Sequence, residues 1–310
     1  MTRASVIAAE PPPGLWPLWR HFTHGRIVPV ATVVAIILLL WYAGAIWLNA
    51  PQVKEQLARA GQPYTIAKLV QATWAMERPV LPAPHQIGAE FHKTVFETKI
   101  TSKRSLIYHA YVTVSAAVLG FAFGALLGIL LAVGIVHVPT LDRSLLPWII
   151  ASQTIPILAI APMLIVVLGN IGLTGLVPKS IISTYLCFFP VTIGMVKGLR
   201  SPDPLQLDLM RTYSARPAQI FWKLRWPASA PFLFASLKVA IAISLVGAIV
   251  GELPTGATAG LGARLLTGSY YGQTVQIWSA LLMAALLGCT LVFLIGAIER
   301  IVLGRMGVRA

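Results

Sequence analysis

The side chains that could do chemistry are few in this chain of 310 residues, and they are scattered along it. His85, His92 and His109 could ligate a metal ion, but their spacing does not place them on one helix face, and no cysteine or paired carboxylate completes a ligand set. Cys187 and Cys289 lie in apolar runs without disulfide or metal-site spacing. The sequence also lacks His-Glu-x-x-His, Gly-x-Ser-x-Gly and the phosphate-binding Gly-x-x-x-x-Gly-Lys-Ser/Thr loop. We therefore expect that this chain is not an enzyme and that it binds no metal ion and no cofactor.

The composition indicates a membrane protein. Hydrophobic residues make up 57% of the chain and charged residues 11%, with a mean hydropathy of +0.77, which is too apolar for a soluble domain of this length. Runs of about 20 apolar residues cross a bilayer as helices. Six such runs occur, at residues 28–48, 107–136, 145–168, 180–198, 232–252 and 277–302. We predict an all-α membrane protein with about six transmembrane helices.

The net charge of +14 at pH 7 raises the question of nucleic-acid binding. The basic residues are spread over short loops and tails, whereas a protein that follows a phosphate backbone needs a contiguous basic stripe. Attraction to anionic lipid headgroups explains the charge better. We therefore expect membrane lipid as a partner and no nucleic acid.

A polar segment at residues 201–227 interrupts the apolar spans and is the most structured loop in the sequence. Asp203 is a good N-cap and Pro204 fits the first helical position. Leu205, Leu209 and Tyr213 recur every four residues, which gives the short helix one apolar face. A second short helix is expected from Pro217 to a stop at Pro227. The segment is either a docking element for another protein or an ordinary amphipathic connector.

Residues 210–227 resemble the EAA loop of ABC-importer membrane permeases. The family pattern is Glu-Ala-Ala, three residues, Gly, a helix, and then an apolar residue and Pro. This sequence departs from the pattern at two places. Asp208, Leu209 and Met210 stand at the Glu-Ala-Ala positions, and Ser214 stands at the position of the Gly. The spacing agrees, as do Ala215, Phe221 and Pro227.

Further motifs resemble the same family in the same order over residues 80–303. Gly120, Gly124 and Gly128 lie four apart on one helix face, where small residues let helices approach closely. The segment 153–164 contains Ile155-Pro156 and then Ala161-Pro162-Met163-Leu164, where the family has Ile-Pro and then Ala-x-x-Pro-Leu. Its two prolines predict a kinked span that borders a water-accessible pathway, with a plain kink as the alternative. Residues 257–262 resemble the Ala-Thr-x-Gly-Leu-Gly of nitrate, sulfonate, taurine and related permeases.

The resemblance implies the type I ABC-importer permease fold and the transmembrane subunit of an ATP-driven importer. The partners would be two ABC ATPase subunits that bind the ATP, a second permease of the same or a related chain, and an external substrate-binding protein. The solute would be a small anion like nitrate, sulfonate, taurine or bicarbonate, or a vitamin-precursor heterocycle. The alternative is an ion-driven secondary transporter or channel subunit without an ATPase, which usually shows ionisable groups at the midplane and repeated halves.

Two sets of functional residues are predicted, the first from the resemblance and the second from the residue types inside and beside the spans. The ATPase-coupling set is Leu205, Asp208, Leu209, Arg211, Tyr213, Ser214, Ala215, Phe221 and Pro227. The residues that could line a pathway, either by a polar side chain or, for Pro156, by a place at the kink, are Gln153, Thr154, Pro156, Ser183, Thr184, Ser244 and Glu252. For the residues inside spans, hydrogen bonds between helices are the alternative role. Glu252 either lines an outer gate or faces water.

Loop charges and the resemblance together set the expected topology in a bacterial inner membrane, with both termini cytoplasmic. Residues 1–27 would be a cytoplasmic tail, 28–48 the first transmembrane helix and 49–106 an external loop with interfacial helices. Residues 107–303 would be the permease core with a cytoplasmic coupling loop at 199–231, and 304–310 a cytoplasmic tail. Residues 51–79 look like an insertion relative to the family.

Overall fold

The computed structural model describes residues 27–61, 65–254 and 257–307, and all regular structure in these ranges is helical. The prediction of an all-α membrane protein is therefore confirmed. The tail predicted at residues 1–27 lies almost entirely outside the described residues. The helices are α1 (Ile27–Arg59), α2 (Ile66–Trp74), α3 (Pro84–His92), α4 (Leu106–His137), α5 (Pro139–Ser152), α6 (Ile157–Asn170), α7 (Leu176–Leu199), α8 (Pro204–Thr212), α9 (Pro217–Ile220), α10 (Trp226–Val250), α11 (Leu261–Tyr270) and α12 (Thr274–Arg305). Two π-helical turns, Lys93–Glu97 and Phe221–Arg225, follow α3 and α9.

The chain forms two compact units, residues 1–86 and 87–310. In the first, α1 has 33 residues and continues to Arg59, past the predicted end at residue 48. At a rise of 1.5 Å per residue it is about 50 Å long, which exceeds the hydrocarbon core of about 30 Å. The buried Asn49 fixes the later chain to this helix, because its side chain accepts the Val80 amide hydrogen at 2.8 Å and donates to the Leu81 carbonyl oxygen at 2.9 Å.

Five helical stretches of the described residues are long and apolar enough to cross a membrane: α1, α4, α7, the continuous stretch Pro217–Val250 and α12. The predicted span at 145–168 is instead broken into α5 and α6, which are bent by 96°. The break falls at residues 153–156, and Pro156 forms the N-cap of α6. Proline has no amide hydrogen and disfavours the helical conformation in the preceding residue, which accounts for a helix ending just before it.

In the second unit, α4 and α7 pack along their length through small residues. The facing pairs, in chain order, are Gly120 with Ser183, Gly124 with Cys187, and Gly128 with Val191. A methyl group built on Gly124 would lie 2.5 Å from the Cys187 Cβ, so the backbones touch where the glycines lie. Because the partner numbers rise together, the two helices run parallel. The chain between them must therefore return across the bilayer.

Helices α5 and α6 make that return. Ile149 of α5 packs with Ile135 and Met195, close to the C-terminal ends of α4 and α7. Ala161 of α6 packs instead with Ile182, close to the start of α7. At 14 residues each, the two helices measure about 21 Å apiece. Counted as one broken span, the bent pair brings the number of candidate spans in the described residues from five to six.

Helices α7 and α10 form an antiparallel hairpin. Gly198 at the end of α7 meets Ser229 at the start of α10, whereas Gly251, just after α10, meets Lys179 near the start of α7. Helix α12 packs on α10, and an ion pair of 2.7 Å joins the Lys238 Nζ to a Glu299 carboxylate oxygen. Between helices in lipid, close packing of small residues supplies much of the attraction. The bundle has two distinct ends, one with residues 200–225 and the other with residues 251–254 and 257–262.

Candidate functional site

The segment between α7 and α10 holds α8 outside the bundle. Asp203 caps the helix as predicted, because its carboxylate accepts the Leu205 amide hydrogen at 2.8 Å. No residue of α8 is buried. Leu205, Leu209 and Tyr213 are 80%, 56% and 77% exposed, and their four-residue spacing puts them on one face. This α8 face, defined by these three side chains, is an apolar surface suited to a groove in another protein.

Asp208 and Arg211 lie on α8 beside this face. The Asp208 carboxylate and the Arg211 guanidinium form an ion pair of 2.9 Å, and both side chains are mostly exposed. Exposed pairs of this kind contribute at most about 1 kcal/mol, so the two groups can exchange this contact for contacts with a partner.

Helix α8 ends in a tight turn at Ser214. The Ser214 amide hydrogen bonds to the Arg211 carbonyl oxygen at 2.8 Å, and the Ala215 amide hydrogen bonds to the Met210 carbonyl oxygen at 3.0 Å. This pair of bonds is the Schellman motif, which glycine usually closes because the residue has a positive φ. Ser214 has a φ of 50° and is the only non-glycine residue with positive φ among those the structure describes. The geometry explains why the family pattern has Gly here.

The rest of the segment is anchored to the bundle through Phe221. Its ring centroid lies 5.3 Å from that of His137 and 5.9 Å from that of Trp226, and the ring packs on the core cluster that contains Met195. Pro227 does not end a helix as predicted. It lies inside helical structure that runs without a break through residues 217–250, directly after the π-helical turn Phe221–Arg225, where the regular α-helical hydrogen bonding is already interrupted.

The residues predicted to line a pathway fall into three different settings. Gln153, Thr154 and Pro156 lie together in the break between α5 and α6, and all three are exposed. The Thr154 hydroxyl donates to the Ala151 carbonyl oxygen at 2.8 Å. Their place in a break between two half-spans suits a pathway, and this role stays a prediction.

Ser183 and Ser244 are fully buried between helices. The Ser183 hydroxyl donates to the Ser244 carbonyl oxygen at 3.0 Å, and the Ser244 hydroxyl donates to the Ala117 carbonyl oxygen at 2.6 Å. The partly buried Thr184 donates to the Gly120 carbonyl oxygen at 3.2 Å. These bonds join α4, α7 and α10, which is the alternative role considered for them. In this conformation the two serines have no surface with which to contact a solute.

Glu252 has no exposed surface, so this conformation excludes the water-facing alternative, and a role at an outer gate stays a prediction. Its carboxylate accepts hydrogen bonds from the Thr113 hydroxyl at 2.8 Å and the Gly262 amide at 2.9 Å, and it pairs with the Lys179 Nζ at 3.2 Å. Sequence reasoning did not find Thr113 or Lys179. Lys179 stands one residue before the predicted span at 180–198 and reads there as an ordinary flanking charge. Gly260 and Gly262 are the sequence signal that could have pointed to a buried contact with Glu252, because glycine permits a close approach of the backbone.

The three histidines lie in separate settings. His85 contacts Tyr42 and the Trp74 carbonyl oxygen, and His92 pairs with Glu97 at 3.3 Å. The ring of His109 accepts the Gly260 amide hydrogen at Nδ1 and donates from Nε2 to the Lys103 carbonyl oxygen. Across the described ranges, no three His, Cys, Asp or Glu side chains are grouped to hold a metal ion.

Comparisons with known proteins agree with this architecture. A family model described as "Binding-protein-dependent transport system inner membrane component" matches residues 124–308, more than half of the chain. A probable ABC transporter permease of Haemophilus influenzae is 30% identical over 232 residues, covering 75% of this chain and 92% of that protein. A formylaminopyrimidine transport permease of Halalkalibacterium halodurans is 30% identical, covering 66% and 79%. A putative aliphatic sulfonates transport permease of Bacillus subtilis is 25% identical, covering 67% and 72%.

A solved structure of the MetNI methionine ABC transporter in an inward-facing conformation has the same fold. It matches with a TM-score of 0.54 at 20% identity, over 64% of this chain and 95% of that chain. Together with the six spans, the match identifies the type I importer fold predicted from the sequence. The chain therefore belongs to the binding-protein-dependent transport system inner membrane components, the permease subunits of ABC importers.

Proposed function

We propose that α8 is the element through which partner ATPases drive this permease. The observation that carries the proposal is the α8 face, which exposes Leu205, Leu209 and Tyr213 on a helix with no buried residue. Large apolar side chains at this spacing are the anchors that a helix uses in a groove. Asp208 and Arg211 supply polar contacts beside them. The turn at Ser214 and Ala215 fixes the direction of the chain as it leaves α8.

The connection of α8 to the bundle supports a mechanical role. The helix lies between the end of α7 at Leu199 and the start of α10 at Trp226, so a displacement of α8 acts on both helices. Phe221 anchors the return of the chain, and Pro227 stands where that return enters α10. ATP-driven closure of the ATPases would move α8 as a rigid piece and switch access to the pathway from one side to the other.

The assembly we propose has two ABC ATPases, a second permease of the same or a related chain, and an external substrate-binding protein. The ATPases, and not this chain, would bind and hydrolyse ATP. The permease would lie in a bacterial inner membrane with both termini and the 199–231 loop in the cytoplasm. Residues 49–106 would then be external, 107–303 the permease core and 304–310 a cytoplasmic tail. Lys197, Arg200, Lys223 and Arg225 near the cytoplasmic loop support this orientation.

The solute we propose is small and polar, in the range of the sulfonates and pyrimidine derivatives for which the relatives are named. Lys179 is the basic side chain nearest to the pathway prediction, but it is buried against Glu252 and is not free to hold an anion. Selection of the solute therefore falls to the external binding protein. Gln153, Thr154 and Pro156 would give the solute a weak polar lining at the break between α5 and α6.

The test is co-purification of the chain from its native membranes in mild detergent. We expect an ATPase in near-equal amount from wild type and little or none from the triple variant L205A/L209A/Y213A. The control is Y270A/Y271A, which removes two exposed aromatic rings at the other end of the bundle. Recovery of an intact wild-type chain without any ATPase, with transport driven by an ion gradient, would contradict the proposal.

A further inference from the structure

A buried polar cluster lies at the end of the bundle remote from α8. We call it the Glu252 cluster, and it consists of the side chains of His109, Thr113, Lys179 and Glu252 with the backbone of residues 259–262. Its members come from α4, α7, the turn after α10 and the turn before α11. Thr113 and Glu252 have no exposed surface, and the residues His109 and Lys179 are 4% and 8% exposed.

Each polar group of residues 259–262 that faces the cluster is bonded to a different side chain. The amide hydrogens of Gly260, Leu261 and Gly262 go to the His109 Nδ1 at 3.0 Å, the Thr113 hydroxyl at 2.8 Å and the Glu252 carboxylate at 2.9 Å. The Ala259 carbonyl oxygen accepts from the Lys179 Nζ at 3.0 Å. The Thr113 hydroxyl also donates to Glu252 at 2.8 Å, which leaves its lone pairs for the Leu261 amide. The four contacts hold the backbone in one position.

The two glycines of this segment are shaped to Glu252. A methyl group on Gly260 would overlap the Glu252 carboxylate, and this glycine has a φ of +125°, which other residues rarely adopt. A methyl group on Gly262 would overlap the Ile249 carbonyl oxygen and lie 2.7 Å from the Glu252 Cβ. The Gly-Leu-Gly string is thus explained by the close approach of the backbone to a buried carboxylate.

The position of the ion pair gives the cluster a mechanical consequence. Lys179 lies near the start of α7 and Glu252 just after the end of α10. At their other ends the same two helices are joined through α8. The α7–α10 hairpin is therefore closed by the chain at the α8 end and by the Lys179–Glu252 pair at the far end.

We propose that Glu252 is a positioning residue that fastens residues 259–262 to α4, α7 and α10, so that a movement of α8 is transmitted to the far end of the bundle. This inference rests on the proposed function, because α8 must be the element that moves. In the proposed orientation the far end is external, where a binding protein would dock. Loss of Glu252 would then separate events at the binding protein from the ATPases without removing either contact surface.

The first measurement is hydrogen exchange by mass spectrometry on the detergent-solubilised complex. In E252Q the amide hydrogens of Gly260, Leu261 and Gly262 should exchange roughly tenfold faster or more, because a charge-assisted acceptor is lost. The control is E299Q, which breaks the Lys238–Glu299 pair between α10 and α12 and should leave peptides that cover 259–262 unchanged. Wild-type exchange in E252Q at these amides would overturn the proposal.

The second measurement is ATP hydrolysis by the complex in nanodiscs, with and without the binding protein. We expect E252Q to keep basal hydrolysis and to lose most of the stimulation by the binding protein, and E299Q to keep both. Because E252Q leaves Lys179 buried without its partner, the double variant K179M/E252Q removes both charges and should restore the melting temperature but not the stimulation. If stimulation returns together with the melting temperature, Glu252 is only structural and the proposal is wrong.

The two measurements separate this inference from the proposed function. A wild-type complex that contains no ATPase contradicts the proposed function. The hydrogen exchange of residues 259–262 would still show whether Glu252 fastens this segment. A wild-type complex with stimulated hydrolysis and an E252Q variant that is equally stimulated contradicts the inference alone.

Discussion

Replacing Gly124 with alanine should separate the two central helices of the bundle. The added methyl group would lie 2.5 Å from the Cys187 Cβ and 3.0 Å from the Thr184 carbonyl oxygen. Both atoms belong to or lie next to the backbone of α7, so a side-chain rotation cannot remove the overlap. Helix α4 must therefore move away from α7 by several tenths of an ångström.

The magnitude follows from two opposing contributions. Alanine stabilises a helix interior by about 0.8–1 kcal/mol relative to glycine. Overpacking a close contact costs about 1–3 kcal/mol. Separation of the helices also weakens the hydrogen bond from the Thr184 hydroxyl to the Gly120 carbonyl oxygen, and such a bond in a membrane contributes about 0.6 kcal/mol. We expect G124A to lower the free energy of unfolding by about 0.6–2.8 kcal/mol.

The matched control is G296A in α12, where a methyl group would meet no atom within 4 Å. The helix preference then acts alone, and the free energy of unfolding should rise or stay the same. The assay is unfolding of the purified chain in mixed micelles of detergent and sodium dodecyl sulfate, followed by circular dichroism. A G124A variant as stable as G296A would refute the close packing of α4 against α7 at Gly124.

Two further predictions concern the α8 segment and the topology. S214G should raise the free energy of unfolding by about 1–2 kcal/mol, because glycine adopts the positive φ without the penalty that serine carries, and thermal melts check this. S214V should preserve expression and uncouple ATP hydrolysis from transport, and uptake assays check this. With Cys289 replaced by serine, a cysteine at position 270 should react with a membrane-impermeant maleimide added to intact cells. A cysteine at position 140, which is exposed beside the end of α4 and lies outside the α8 face, should react only after permeabilisation, and the reverse pattern would invert the proposed orientation.

The sequence predicts α8 well because its signals are local. Asp203 and Pro204 mark the start of the helix, and the spacing of Leu205, Leu209 and Tyr213 defines its apolar face. Ser214 could be assigned only by alignment to a family pattern. Its positive φ depends on the Schellman bonds, which the residue types alone do not determine.

The bent span shows where hydropathy stops being informative. Residues 145–168 have the composition of a single crossing, and a kink was expected from Pro156 and Pro162. The structure places a bend of 96° at the first proline, while Pro162 lies inside α6. Composition reports that a segment is apolar, but the angle between its halves is set by packing on α4 and α7.

The Glu252 cluster could not be predicted because its contacts are distant in sequence. Thr113 and Glu252 are 139 residues apart, and Lys179 and Glu252 are 73 apart. A carboxylate at the end of an apolar span fits a water-exposed position as well as a buried pair. Only the fold, which brings the ends of α4, α7 and α10 together, decides between them.

The central claim, that an ATPase binds the α8 face, is tested most directly by photocrosslinking in living cells. A photoreactive amino acid at position 209 should crosslink to a partner chain that carries a Gly-x-x-x-x-Gly-Lys-Ser/Thr loop, identified by mass spectrometry. The same group at position 270, at the far end, should give no such product, although Tyr270 is 72% exposed and Leu209 only 56%. Absence of an ATPase crosslink at position 209 in a transport-active complex, or equal crosslinking at both positions, would contradict the account.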